Sequence, residues 1–105
     1  MNALRALFFV LLLGLATPAL AGDVLVTVTH GKVAPPEVTV AMGDTVTFRN
    51  ESNMPGGHSI VADDGSFESP GLGLNETWSH TFDKLGVFPY HIGEHPNAKG
   101  KVIVE

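Results

Sequence analysis

After residue 22 the chain breaks into short runs of alternating or β-branched residues, with glycine or proline between most of them. That rhythm leaves room for strands and little else. Val24-Leu25-Val26-Thr27-Val28-Thr29 puts three valines on one face. Val38-Thr39-Val40 and Thr45-Val46-Thr47-Phe48 flank the turn Met42-Gly43-Asp44. Ser59-Ile60-Val61, Thr77 to Phe82, Val87 to Ile92 and Lys101 to Val104 complete the set. Pro35-Pro36, Pro55-Gly56-Gly57 and Pro70 to Gly73 punctuate the gaps. No stretch carries a helical period. The expectation is an all-β, Greek-key two-sheet β-sandwich.

Hairpin ordering says which loops share an end. If the first strand climbs, the His30 to Pro36 loop is at the top and the Met42-Gly43-Asp44 turn at the bottom. The third strand climbs again and brings Glu51 to His58 to the top. A final hairpin adds Gly93 to Ala98 there. His30, His58 and His95 are then expected at one end and His80 away from them. The ordering assumes antiparallel neighbours.

Residues 1–21 read as a secretory leader. Arg5 supplies the early charge, Leu7 to Leu15 the apolar run, and Ala19-Leu20-Ala21 the small-residue cleavage site. That run is short for a bilayer span. The expected product is one periplasmic or secreted domain over residues 22–105, without a membrane span. It has 84 residues, and folds of that size often need a staple. The 105-residue chain has no cysteine, so disulfides, zinc–thiolate sites and thiol catalysis are excluded and a metal is left. Because Arg5 lies in the leader, five Lys and Arg face eleven Asp and Glu, a net charge of −6. Phosphate binding needs a basic surface, so nucleic acid is not an expected partner. A monomer is expected, with any protein partner docking at the His95 end.

Neutral imidazole suits copper, zinc, nickel and iron. His58 follows a Pro-Gly-Gly turn and opens a strand, and His95 precedes Pro96 in a short inter-strand loop. These two lead as metal ligands, with His30, Met54 and Glu94 as further candidates. A lone histidine is more often a surface residue, which is the favoured reading for His30 and His80. His91 alternates with Tyr90 and Ile92 and so faces solvent if Ile92 faces the core. His91 and His95 lie four apart, a spacing that shares a face only in a helix, and Gly93 and Pro96 argue against one. Asp63, Asp64, Glu68 and Glu94 show no paired acid, and Ser59, Ser66 and Ser79 lack a nucleophile-elbow context. No enzyme active site is indicated. Asn50-Glu51-Ser52 and Asn75-Glu76-Thr77 match glycosylation acceptors.

The mature chain resembles the cupredoxins of the plastocyanin, amicyanin and pseudoazurin group. Gly43-Asp44-Thr45-Val46 with Phe48 and Asn50 is similar to that family's third strand. Met54-Pro55-Gly56-Gly57-His58-Ser59-Ile60 resembles its first-ligand loop. Gly86 to Val102 resembles, without a gap, its C-terminal ligand loop. The resemblance places His58 and His95 on the two histidine ligands. It places Ile92 where the family has its copper-binding cysteine and Ala98 where it has the axial methionine.

The blue-copper site is two imidazoles and a thiolate with a weak axial sulfur. Isoleucine cannot coordinate. Two histidines alone leave positions for water, Glu94, Met54 or His30, a donor set that favours Cu(II) in tetragonal geometry. The leading expectation is an atypical copper site used in binding or handling copper, with another divalent metal as the variant. A metal-free interaction module is the alternative, and an electron carrier of the usual kind comes third.

Overall fold

The structure, a computed structural model, describes residues 23–105. The leader expected at residues 1–21 lies outside them. Eight strands are present among the described residues: β1 (Asp23–Thr29), β2 (Lys32–Ala34), β3 (Glu37–Val40), β4 (Thr45–Asn50), β5 (Ile60–Ala62), β6 (Thr77–Thr81), β7 (Gly86–Ile92) and β8 (His95–Val104). They form two four-stranded sheets, ordered β2-β1-β4-β6 and β3-β8-β7-β5. Among the described residues no helix is long and apolar enough to cross a membrane.

Alternation does the folding work. The inward phase of β4 is Val46, Phe48 and Asn50, all buried, and that of β1 is Val26 and Val28. Tyr90 and Ile92 of β7, with Val102 and Val104 of β8, close the core from the other sheet. Cross-strand partners on one face pack against each other, so shifting β4 by one residue would turn Phe48 to water.

Both sheets are mixed, which corrects the assumption of antiparallel neighbours. β1 runs parallel to β4, with Val26 opposite Phe48, and β3 runs parallel to β8. The end assignment survives because β1 and β4 both climb, as the hairpin count requires. β6 runs antiparallel to β4, so His80 lies toward the other end.

Two boundaries differ from expectation. Lys32 to Ala34, read as loop, forms β2 and pairs with Thr27 to Thr29, leaving His30-Gly31 as a two-residue turn. Gly31 sits at φ 70° there, where a side chain is rarely tolerated. The last strand begins at His95, not Lys101. Ile92 pairs with His95 and His91 with Lys99, so Pro96, Asn97 and Ala98 are taken up in a register shift. A bulge at a sheet end re-aims side chains and is a common way to build a site.

His80 departs from its surface reading. It lies on the inward phase of β6 with Trp78, half-buried, its ring stacked on Trp78 at 5.7 Å and 4.7–4.8 Å from Phe67 and Phe82. Burial pushes its imidazole pKa below the usual value, and Asp83 offsets part of that; Lys84 lines the same recess. The unfolded chain therefore takes up the proton first, from about pH 6.5 downward. Stability from the neutral ring is fully present above that pH and is lost as pH falls through the lower folded value. Urea unfolding of metal-free protein at about pH 7.5 and about pH 5.5 is expected to show a larger loss in wild type than in His80→Phe. Equal losses would contradict it.

Candidate metal centre

His30, His58 and His95 each bring one ring nitrogen to within 4.8 Å of the other two. The His30 and His95 rings meet edge to face at 4.9 Å, and the His58 and His95 rings lie 5.2 Å apart. His95 is the middle ring. Burial grades across the cluster: His58 is buried, His95 half-buried and His30 exposed. His30, read from sequence as a surface residue, thus joins the other two.

His58 is held most firmly. Its backbone exchanges hydrogen bonds with Leu72, from His58 N to Leu72 O at 3.0 Å and from Leu72 N to His58 O at 2.8 Å. Gly57 packs so closely on the Leu72 carbonyl that a Cβ there would collide, and its φ of 70° already favours glycine. The Pro55-Gly56-Gly57 turn therefore lets the chain press against the Leu72 loop just before the histidine.

The ring of His58 is oriented by Asn50. The Asn50 amide gives its Nδ2 protons to Leu72 O at 2.7 Å and Ser52 O at 3.2 Å. Its Oδ1 accepts from Ser52 N at 3.1 Å and from His58 Nδ1 at 3.0 Å. A carbonyl oxygen only accepts, so Nδ1 of His58 carries the proton and Nε2 the lone pair. That Nε2 is buried with no hydrogen-bond partner among the described residues. A buried acceptor left unpaired costs free energy. Burial, and the neighbouring His95 and His30, also push the His58 pKa down while Glu94 opposes them. The ring is thereby kept in the neutral form that metals require.

The remaining candidates divide. The Met54 sulfur lies 3.3 Å from His95 Nε2 and puts a soft atom beside the cluster. Glu94 is not among the converging groups. Its carboxylate accepts from Ser59 N at 2.7 Å and from Ser59 Oγ at 3.1 Å, which straps the β7–β8 turn to the residue after His58. The acids also have partners that the sequence did not show. His91 faces away from the core as expected, yet it is half-buried and donates to Asp63 across 2.7 Å. Asn50, matched as a glycosylation acceptor, is fully buried and cannot take a sugar in the folded state. It was missed as a site residue although its inward phase after Val46 and Phe48 marks it as a buried amide.

The residues fit a copper ion on chemistry. Imidazoles and a nearby thioether are borderline-to-soft donors, and among the described residues no carboxylate joins them. Ile92 and Ala98, which the resemblance sets at the family's sulfur positions, are 1% and 5% exposed, and both belong to the core.

Fold and cluster together define a class, small two-sheet sandwiches with an imidazole-lined end. Within it the chain belongs to the cupredoxin-like domain family, which matches residues 3–104. The amicyanin of Paracoccus denitrificans is 34% identical over 87 residues, covering 80% of this chain and 66% of that protein, just under two thirds of its length. A purple cupredoxin from Nitrosopumilus maritimus superposes with a TM-score of 0.71 at 27% identity, covering 79% of this chain and all of that one. A copper-containing nitrite reductase from Thermus scotoductus SA-01 gives 0.72 at 30% identity over 86% of this chain, but the match is 23% of that larger protein.

Proposed function

We propose that the protein is an exported, non-catalytic copper-binding protein of the cell envelope. In this reading His58 and His95 are the core ligands and the bound copper is stored or handed on. One observation carries the proposal: the buried, unpartnered Nε2 of His58 sits in a ring already fixed by Asn50 and beside two further imidazoles. Ligating histidines commonly donate their other ring N–H to an oxygen in this way. Export rests on the leader pattern of residues 1–21, and likeness to amicyanin supports copper over other divalent metals. His30, Pro55 and Pro96 are exposed at that end, where a protein partner would dock.

A metal-free interaction module is the second reading, favoured by Ile92 and Ala98 packed into the core where the family pattern has sulfur donors. Calorimetric titration with Cu(II) separates the two. The purified protein is expected to bind one equivalent, and the His58→Ala, His95→Ala double variant to lose that binding. The same affinity in both proteins would overturn the copper reading.

A further inference from the structure

We propose that His30 is the third copper ligand, so that the site is built from three imidazoles contributed by three separate loops. The inference rests on the copper reading above and names the donor that takes over from the missing thiolate.

The geometry begins with β1. This strand is hydrogen-bonded on both sides, to β2 and to β4, and it delivers His30 at the first position of a two-residue turn. A turn that short allows the chain little freedom, so the residue's place above the sheet end is set by the strand rather than by a flexible loop. His58 arrives from the segment latched to Leu72, and His95 from the start of β8, opposite Ile92. A tight turn, a bridge to Leu72 and the start of a strand thus bring the three rings together.

The distances are those of a site close to assembled. A metal with bonds of about 2.0–2.1 Å holds its nitrogen ligands about 3.3–3.5 Å apart. The available nitrogens here lie within 4.8 Å of one another. The shortfall is at most on the order of an ångström, within reach of side-chain rotation at the exposed His30 and the half-buried His95 without moving a strand. His58 has no such freedom, being buried and tied to Asn50.

The chemistry points the same way. Glu94, the acid nearest in sequence to His95, is turned onto Ser59. The donors gathered here are imidazole nitrogens with the Met54 sulfur beside them, a set that suits copper or zinc and not calcium or magnesium. With Ile92 and Ala98 buried in the core, no donor enters from the β7–β8 side except His95 itself. His30 is the exposed member of the cluster.

Cu(II) electron paramagnetic resonance tests the assignment, since nitrogen hyperfine structure reports how many imidazoles bind. The wild-type protein loaded with one equivalent of Cu(II) is expected to show three coordinated nitrogens. His30→Ala is expected to show two, with Cu(II) affinity lower by at least about tenfold. His30 is exposed in a turn, so the variant is expected to keep the wild-type urea midpoint without metal. His91→Ala, which removes an imidazole outside the cluster, is expected to leave the spectrum unchanged. Identical spectra and affinities for wild type and His30→Ala would overturn the role of His30 and leave the two-histidine reading standing. Failure of the wild-type protein to bind Cu(II) would overturn both.

Discussion

Ile92→Ala is expected to destabilise the fold by about 2–5 kcal/mol, the range for truncating a buried aliphatic side chain. Ile92 ends β7 at 1% exposure, pairs with Ile60 on one side and His95 on the other, and shares the core with Phe48 and Val102. Its neighbours are strand residues held by hydrogen bonds, so the cavity cannot collapse easily and the cost lies away from the low end of the range. Denaturant unfolding without metal measures it. A loss well under 1 kcal/mol would place Ile92 outside the core. Copper affinity gives a second readout, because the truncation loosens the strand end that carries His95.

The second large effect is spectroscopic. Ile92→Cys combined with Ala98→Met is expected to give, on adding Cu(II), an intense blue or green thiolate charge-transfer band that the parent lacks. Residue 92 is the cross-strand partner of His95, and such partners share a face with Cα atoms about 4.5–5.5 Å apart. A cysteine there starts beside the His95 ring. Ala98 lies in the register shift three residues beyond His95 and faces inward at 5% exposure. Methionine adds volume there while cysteine removes some at 92, and the flexible thioether adapts to the altered gap. Copper bound without the band would show that the core has closed the sulfur positions for good. That outcome leaves the imidazole cluster as the copper site; no copper binding at all would favour the interaction-module reading.

Much of the sandwich was legible because period-two alternation is written locally. Val46, Phe48 and Asn50, or Tyr90 and Ile92, declare their buried face without knowledge of any partner strand. β2 escaped because Lys32-Val33-Ala34 is too short to show a period between Gly31 and Pro35. The start of β8 escaped because Pro96 and Asn97 read as loop, whereas the pairing absorbs them in a bulge. At the site, His58 and His95 stood out by position and by resemblance. His30 did not, because nothing local to a two-residue turn records which other loops stand beside it. His80 was misjudged for a related reason. The phase of β6, which puts Trp78 and Phe82 on the His80 side, was visible, but Phe67, which also closes over the ring, comes from another segment of the chain.

The Asn50 amide has a mechanical consequence. It ends a strand of one sheet, yet it grips the ring of His58 and the carbonyl of Leu72, which lead into and pair beside the other sheet. The two layers are otherwise held together mainly by apolar packing, which resists separation better than it resists sliding. At this end a directional latch joins them. A shear of one layer over the other would turn or release the His58 imidazole before it exposed much of the core. The angle of the His58 ring is thereby tied to how the two layers sit on each other at this end.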